Sequence, residues 1–235
     1  VIKNLIGIIL FLSIATTATS ETIAPSPAEL KTPIKLAEQG DAEANFALGG
    51  VYYFGLGVQQ DYAKAIEWYK KAAAQDHAGA QFALGGMYYF GQGVRQDYTK
   101  AAKWTEKAAA QGNANAQFIL GRIYYEGKGV RQDYAKAIEW YKKAAAQDHA
   151  GAQFALGGVY NFGLGVRQDY AKAIEWYEKA AAQDHADAQF FLGIMYDEGL
   201  GVRQNLATAK EWFGKACDNG NQNGCDSYRR INMNH

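Results

Sequence analysis

The side chains that could carry out chemistry are few and scattered along the chain. Histidine or asparagine occupies one position of a repeated segment, at His77, Asn113, His149, His185 and Asn221. Because these positions lie a full repeat apart, they match no metal-ligand spacing, and we interpret them as turn or helix-start residues. The Gly-x-Gly-Val segments lack the Gly-Lys-Ser/Thr of a phosphate-binding loop. We therefore expect no catalytic, cofactor-binding or metal-binding residue, and a protein that is not an enzyme.

Composition and charge exclude several classes of protein. The 235 residues include 24 basic and 24 acidic side chains, so the chain carries no net charge. This balance argues against nucleic acid as the main ligand. Hydrophobic residues make up 49% of the chain, which is typical of a folded protein and not of a disordered one.

The first 20 residues have the layout of a secretory signal peptide. Lys3 precedes an apolar stretch from Leu5 to Ala15, and small residues follow up to Ser20. A transmembrane anchor is the alternative, but this stretch is shorter than the roughly 20 residues that span a bilayer. We expect cleavage near Ser20 and an exported protein, periplasmic or secreted by a bacterium, with no stable membrane insertion afterwards.

Most of the remaining chain repeats with a period of 36 residues. All five tryptophans lie in one column, at Trp68, Trp104, Trp140, Trp176 and Trp212. Residues 60–86 and 132–158 are identical at every position, which indicates a recent duplication of two repeats. The period predicts five repeats within residues 41–221.

Each repeat is predicted to be a helical hairpin of a helix A and a helix B. In the first copy, residues 42–54 and 61–75 carry apolar or small residues at helical spacing. A Gly-x-Gly-Val segment ends helix A, since glycine tolerates the positive φ of a helix end. Asp61 then provides the start signal of helix B.

Two further columns predict contacts within the hairpin. Glycine recurs inside every helix A, at Gly49, Gly85, Gly121, Gly157 and Gly193. Because glycine inside a helix costs about 1 kcal/mol relative to alanine, this column predicts that two helices approach closely there. On helix B, Glu67 and Lys71 have the spacing of an i,i+4 ion pair.

The repeated pattern resembles the SEL-one-like repeat (SLR) family. The motif A-x-F-x-L-G-x-x-Y…G-x-G-V-x-Q-D-Y-x-K-A-x-x-W-x-x-K-A-A covers about residues 41–225. The resemblance implies an all-α fold, a right-handed α/α solenoid of five 36-residue helix-turn-helix repeats with short terminal caps. It also implies an adaptor of a kind that bacteria often export. Successive hairpins are expected to stack into a continuous core.

Both ends depart from the repeat and are interpreted as caps. Residues 21–40 are predicted to form a linker and an N-terminal capping helix. This helix should begin after Thr32, because Pro33 would break a longer one. Residues 222–235 are predicted to form a polar C-terminal capping helix and tail, as the end of a solenoid requires.

Cys217 and Cys225 are the only cysteines. The hairpin places Cys217 near the end of the last helix B and Cys225 in the following helix, and in an exported protein the expected state of such a pair is a disulfide. Their spacing resembles the helix-linking bridges of the cysteine-rich SLR proteins of Helicobacter. Two cysteines alone are a poor metal site.

Some of those Helicobacter relatives are described as penicillin-binding or β-lactam-hydrolysing, so this activity is an alternative. The residues give it little support. Ser26 and Ser227, the only serines after position 20, begin the sequences SPAE and SYRR. Neither is the Ser-x-x-Lys motif of a serine β-lactamase.

The candidate binding surface lies at the end of helix A, where the repeats differ. Side chains that hold the stack must repeat, whereas side chains that face a ligand are free to vary. Two adjacent columns of this kind are predicted to line the concave face: Tyr53, Phe54, Tyr89, Phe90, Tyr125, Glu126, Asn161, Phe162, Asp197 and Glu198. Aromatic residues with few charges suit a protein or peptide partner. The alternative is that Tyr53 and Phe54 pack against the Gly-x-Gly loop.

The sequence therefore predicts an exported, monomeric, non-catalytic scaffold that binds a protein or peptide on its concave face. The partner would be an envelope protein or, for a pathogen, a host protein. A binder of cell-wall glycan or an enzyme regulator in the periplasm is the alternative, since an aromatic groove would serve either.

Overall fold

The computed structural model describes residues 27–233, which form twelve α-helices and no strand. The predicted signal peptide, residues 1–20, lies outside the described residues. The helices are α1 (Pro27–Glu38), α2 (Ala42–Phe54), α3 (Tyr62–Ala73), α4 (Ala78–Phe90), α5 (Tyr98–Ala110), α6 (Ala114–Glu126), α7 (Tyr134–Ala145), α8 (Ala150–Phe162), α9 (Tyr170–Ala181), α10 (Ala186–Glu198), α11 (Leu206–Asp218) and α12 (Gln222–Met233). Helices α2, α4, α6, α8 and α10 are helix A of the five repeats, and each is followed by its helix B. The predicted all-α helix-turn-helix fold is confirmed.

The chain divides into two compact units. Unit 1 comprises the residues up to 116 together with 128–130, and unit 2 comprises residues 117–127 and those from 131 onward. In unit 1, each helix from α1 to α5 packs on the next one. In unit 2, the same holds from α7 to α12. Among residues 27–233, no helix is long and apolar enough to cross a membrane.

Helix A begins at a side chain that caps its first N–H groups. Asp41 caps α2 in unit 1, where its Oδ1 accepts a hydrogen bond from the N–H of Ala44 at 2.7 Å. The capping side chains of α4, α6, α8, α10 and α12 are His77, Asn113, His149, His185 and Asn221. The interpretation of this column as helix-start residues is confirmed.

The loop between the two helices of a hairpin uses the predicted residues. Gly55 ends α2 at φ 71°, and Gly57 follows at φ 69°. Both values lie in the left-handed region that glycine enters without steric cost. Asp61 then caps α3, since its Oδ1 accepts from the N–H of Lys64 at 3.0 Å. The first helix therefore stops and the second starts within seven residues.

In four of the five repeats the recurrent glycine of helix A lies against a ring of helix B, and in the second repeat Gly85 lies against Thr105. A Cβ at Gly157 would lie 2.4 Å from two ring carbons of Tyr177, and a Cβ at Gly49 would lie 2.5 Å from the ring of Tyr69. Such distances are too short for any side chain, so only glycine lets the two helices pack this closely. The predicted close approach is confirmed.

Helix α1 begins earlier than the sequence predicted. It contains Pro33, so the prediction of a start after Thr32 is wrong. Leu30, Pro33, Ile34 and Ala37 follow the i, i+3, i+4, i+7 spacing of one helix face, and all four are buried or half-buried. Burial of this face in the core of unit 1 offsets the one hydrogen bond that proline cannot donate.

Lys71 lies over a tryptophan instead of pairing with Glu67 as predicted. Its Nζ is 3.6 Å from the centroid of the Trp68 ring. The same contact recurs on each of the other four B helices, through Lys107, Lys143, Lys179 and Lys215. Residues three apart share a helix face, so the cation–π attraction competes directly with the i,i+4 ion pair.

Cys217 and Cys225 form the predicted disulfide, which joins α11 to α12 in unit 2. Their Cα atoms are 4.5 Å apart. Helix α12 also buries Ile231 against Phe213 of α11. A covalent and an apolar contact therefore both hold the last helix in place.

We expect Gly157→Ala to lower the free energy of unfolding by up to about 2 kcal/mol. Overpacking against Tyr177 should cost about 1–3 kcal/mol, which the better helix propensity of alanine offsets by about 1 kcal/mol. Gly158→Ala is the matched control, since its Cβ would lie 3.9 Å from the Tyr177 hydroxyl oxygen. Urea unfolding should show a gain in stability for that variant. An equal loss in both would contradict the packing argument.

The histidine caps should make stability depend on pH. Burial lowers the pKa of His149 and of His185, so the unfolded chain binds protons more readily than the folded one. Their contribution is therefore complete above the ordinary histidine pKa of about 6.5 and is lost as the pH falls below it.

The pH dependence can be tested with asparagine, which caps the same position at Asn113 and Asn221. The double variant His149→Asn/His185→Asn should flatten the decrease in unfolding free energy between about pH 7 and pH 5. Urea unfolding at several pH values measures this. A profile as steep as that of the unsubstituted protein would show that these caps are not responsible.

Candidate functional site

The predicted binding residues lie in the last turn of helix A. Tyr53 and Phe54 end α2, and Tyr89 and Phe90 end α4, directly before the glycines that cap these helices. Adjacent residues of a helix point about 100° apart. The first column, with the tyrosines, is half-buried, and the second, with the phenylalanines, is exposed.

In unit 1 the tyrosines of the first column hold the loop of the following repeat. The hydroxyl of Tyr53 donates to Oε1 of Gln92 at 2.9 Å. The Nζ of Lys128 donates to the hydroxyl of Tyr89, also at 2.9 Å. Gln92 and Lys128 are the middle residues of two Gly-x-Gly loops. Both tyrosines therefore contact a Gly-x-Gly loop, which is the alternative that we considered for Tyr53. They link one repeat to the next.

The phenylalanines of the second column are exposed. In unit 1, Phe54 is 37% exposed and Phe90 is 68% exposed. In unit 2, Phe162 is 60% exposed. Rings this exposed contribute little to packing, so they are free to contact another molecule.

The other predicted residues of unit 2 have contrasting environments. Asn161 is buried, and Asp197 forms an ion pair with Arg230 of α12. Glu198 is exposed. The fold thus uses Asn161 and Asp197 internally, and the C-terminal helix pairs with one of the two acidic residues at this end of the predicted surface.

A cavity of about 370 Å³ opens in unit 2 among helices α6, α8 and α10, and rings from α7 and α9 reach it. Three of the predicted site residues line it, namely Tyr125, Glu126 and Phe162. The structure therefore brings these three together, whereas Asn161, Asp197 and Glu198 are not part of the lining.

Sequence reasoning missed the aromatic walls of this cavity, Phe118, Tyr141, Phe154, Tyr177 and Phe191. Phe118 and Phe154 belong to a column that is phenylalanine in every repeat. This column therefore shows no variation that could mark a binding residue. Phe191 does give one, because its column has alanine in three of the five repeats, for example Ala155. The two columns at the end of helix A were selected because their residues differ between repeats, and the same criterion would have selected the column of Phe191.

The walls are held by contacts among their own rings. Phe191 stacks on Tyr177 with centroids 5.4 Å apart, and Phe154 lies 5.7 Å from Tyr177. Phe118 lies 6.0 Å from Tyr141. Such ring pairs contribute about 0.5–1.5 kcal/mol beyond the area they bury. The cavity is therefore preformed, as small-ligand sites commonly are.

Charged groups line the same cavity. Nη2 of Arg122 is 3.3 Å from Oε1 of Glu126, one turn further along α6. Burial raises the pKa of Tyr141, and the positive Arg122 opposes this shift. Burial, Tyr134 and Glu126 raise the pKa of Tyr125. Both tyrosines are therefore neutral hydrogen-bonding groups at physiological pH.

The arrangement suits the binding of an apolar group with a small polar part. About 370 Å³ is at the lower end of the range for ligand pockets, so the cavity holds a single bulky side chain or a fragment of that size. Among residues 27–233, no cluster of three or more His, Cys, Asp or Glu side chains could hold a metal ion.

Comparison with protein families places the repeats. The Sel1 repeat model matches five consecutive segments, residues 42–77, 78–113, 114–149, 150–185 and 186–221. No curated protein matches the sequence.

Solved structures with the same architecture are similar to the chain. A protective antigen of uropathogenic Escherichia coli, described as displaying an SLR fold, is 36% identical over 95% of this chain, with a TM-score of 0.82. The match spans only 47% of the length of that antigen. A Sel1 repeat protein from Oxalobacter formigenes is 29% identical over 96% of this chain and 86% of its own, also with a TM-score of 0.82. Helicobacter pylori cysteine rich protein B is 24% identical over 52% of this chain and 88% of its own, with a TM-score of 0.43.

The hydrogen bond from Tyr53 to the loop of the next repeat should contribute measurably to the free energy of unfolding. Tyr53→Phe removes the hydrogen bond to Gln92, and we expect a loss of about 0.5–1.5 kcal/mol in the free energy of unfolding. Tyr125→Phe is the matched control, because the corresponding loop position is Leu164, which has no polar side chain. Urea unfolding should show a change near zero for that variant. Equal losses would contradict the role assigned to the loop contact.

Proposed function

Because the chain belongs to the Sel1 repeat family, whose members commonly mediate protein–protein interaction, we propose that it is an exported interaction scaffold. It binds a protein or peptide partner at the ends of its A helices and has no catalytic activity of its own. The observation that carries this proposal is the exposure of the second-column phenylalanines, 68% at Phe90 and 60% at Phe162.

The energetics of exposed aromatic rings support a binding role. Covering an exposed aromatic side chain removes a large apolar area from water, and aromatic anchors dominate many protein interfaces. Phe162 also lines the cavity of unit 2. A partner that covers this ring therefore also reaches a pocket, which is the combination typical of an anchor site.

Export is supported by the disulfide. The bond between Cys217 and Cys225 persists in the periplasm or outside the cell, where thiols are not kept reduced. The similar protein of Escherichia coli is described as a protective antigen, which agrees with an exported molecule. An envelope protein or a host protein is the partner that this location offers.

Site-specific photo-crosslinking tests the proposal. The photoreactive residue p-benzoylphenylalanine is placed at Phe90 or at Phe162, and the protein is exported by its own cell. Two exposed positions of helix B, Lys70 and Lys142, serve as controls. We expect one partner protein to be crosslinked from both phenylalanine positions and from neither lysine position.

Three results would contradict the proposal. Crosslinking of the same protein from the lysine positions would place the contact surface elsewhere. If no position yields a protein and purified peptidoglycan retains the chain, the ligand is cell-wall glycan. Hydrolysis of a chromogenic cephalosporin by the purified protein would contradict the non-catalytic role.

A further inference from the structure

The cavity of unit 2 contains a guanidinium group whose hydrogen-bonding capacity the fold uses only in part. Arg122 lines the cavity, and its side chain is 45% exposed. Its Nη2 donates to Oε1 of Glu126 at 3.3 Å. A guanidinium has five N–H donors, and that of Arg122 makes no other hydrogen bond to the described part of the chain. The remaining donors are therefore available to a ligand.

This arginine is peculiar to the third repeat. The equivalent positions of the other repeats are Gly50, Gly86, Gly158 and Ile194. Helix A therefore forms and packs without a charged side chain at this position, so the fold does not account for Arg122. A charged residue that the fold does not require, and that lines a cavity, is a candidate for binding.

The rest of the cavity lining is mainly apolar. Ala155 and Gly158 of α8 belong to it, and a Cβ at Gly158 would meet no other heavy atom closer than 3.9 Å, so the space over this part of α8 is open. Aromatic walls favour an aromatic ring as the occupant. Four phenylalanine rings line the cavity, those of Phe118, Phe154, Phe162 and Phe191.

A ligand that matches both parts of the lining carries a carboxylate next to an aromatic ring. A carboxylate is the planar acceptor whose shape and charge fit a guanidinium. Arg122 and the phenylalanine rings line the same cavity of about 370 Å³. The carboxylate and the ring of the ligand must therefore lie within about one amino-acid residue of each other.

A polypeptide presents these two groups together at its carboxyl terminus. In the last residue, the side chain and the carboxylate are attached to the same Cα atom. An internal residue offers a neutral amide in place of the carboxylate, which gives Arg122 no charge of opposite sign. Phe162 is 60% exposed, so the preceding residues of the partner can pass over its ring.

We propose that this cavity binds the carboxyl-terminal residue of the partner, and that this residue is aromatic. Its ring inserts between the phenylalanine walls, and its carboxylate accepts hydrogen bonds from Arg122. Because Glu126 competes for Arg122 and repels the carboxylate, the ring supplies most of the affinity and the carboxylate supplies the selectivity. This proposal rests on the proposed protein-binding function and adds a specificity to it.

The test uses four peptide probes, titrated into isotope-labelled protein and followed by NMR. They are acetyl-Gly-Ser-Phe with a free carboxyl group, the amide of the same peptide, acetyl-Gly-Ser-Ala with a free carboxyl group, and the amide of acetyl-Gly-Phe-Asp. The free phenylalanine acid should bind roughly three to ten times more tightly than its amide, the gain expected of hydrogen bonds to a half-exposed charge. It should bind at least about ten times more tightly than the alanine peptide, which buries no ring.

Each probe can also contradict the proposal. Equal binding of the phenylalanine acid and its amide would refute the carboxylate contact. Equal binding of the phenylalanine and alanine acids would refute insertion of the ring. If the aspartate peptide binds as tightly as the phenylalanine acid, a side-chain carboxylate suffices and the cavity does not recognise a chain terminus. Binding of none of the four would show that the cavity does not take such a residue at all.

Three variants locate the effect. Arg122→Gln should remove the preference for the acid over the amide, and Glu126→Gln should increase it, because the competing carboxylate is gone. Gly158→Ile should abolish binding of the phenylalanine peptides, since isoleucine fills the cavity. A preference for the acid that survives Arg122→Gln would refute the assigned contact.

Gly86→Ile is the matched control for Gly158→Ile. It lies at the same column in unit 1, where a Cβ would meet nothing within 4 Å. The fifth repeat has Ile194 at this column, so isoleucine is compatible with helix A. The control should bind the probes as the unsubstituted protein does. An equal loss of binding in both variants would show that isoleucine disturbs the fold and does not act by filling the cavity.

The outcomes separate this proposal from the proposed function. If Phe162 crosslinks a partner but the acid and the amide bind equally, the scaffold stands and the recognition of a carboxyl terminus is wrong. If the probes bind as expected but no protein is crosslinked, the cavity stands as a binding site and the scaffold function is wrong.

Discussion

The close contact between a glycine of helix A and a side chain of helix B, a ring in four of the five repeats, determines the geometry of the hairpins. A Cβ at Gly157 would lie 2.4 Å from the Tyr177 ring, so the two helices are as close as the backbone allows. At this spacing alanine supplies four of the eight buried residues of the surrounding core cluster, and the Tyr177 ring is the largest of them. The same contact places the Tyr177 ring among the residues that line the cavity. A packing requirement of the fold therefore also supplies one wall of the candidate site.

The residues around the candidate site differ between repeats, although the helical hairpin is the same in each repeat. Residues 60–86 and 132–158 are identical, so the second and fourth repeats present the same first part of helix A. What distinguishes the cavity of unit 2 comes from residues outside that identical segment, such as Arg122 and Phe191, whose equivalents two repeats earlier are Gly50 and Ile119. A duplicated repeat can therefore acquire a pocket through changes in its neighbours, without any change in its own core.

The sequence predicted the hairpins well because their signals are local and repeated five times. Helix caps such as Asp61 and the positive-φ glycines such as Gly55 depend on neighbouring residues only. The extension of α1 through Pro33 depends on burial of Leu30 by other helices. The spacing of residues in the sequence does not show whether this burial outweighs the hydrogen bond that Pro33 cannot donate. The cavity was missed for a different reason. Its walls include Phe118 and Phe154, which are phenylalanine in every repeat as a core column would be.

Of the two acidic residues that the sequence assigned to the end of the binding surface, Asp197 and Glu198, the last helix pairs with the first. Asp197 pairs with Arg230, and within α12 itself Asp226 pairs with Arg229 at 3.1 Å. The disulfide and the burial of Ile231 hold α12 where the first of these pairs can form. With Asp197 paired in this way, Glu198 is the exposed acidic residue that remains at this end of the predicted surface, and the attraction at the ends of the A helices is mainly apolar. Binding at this surface should accordingly depend little on salt, since exposed charges supply only a small part of it.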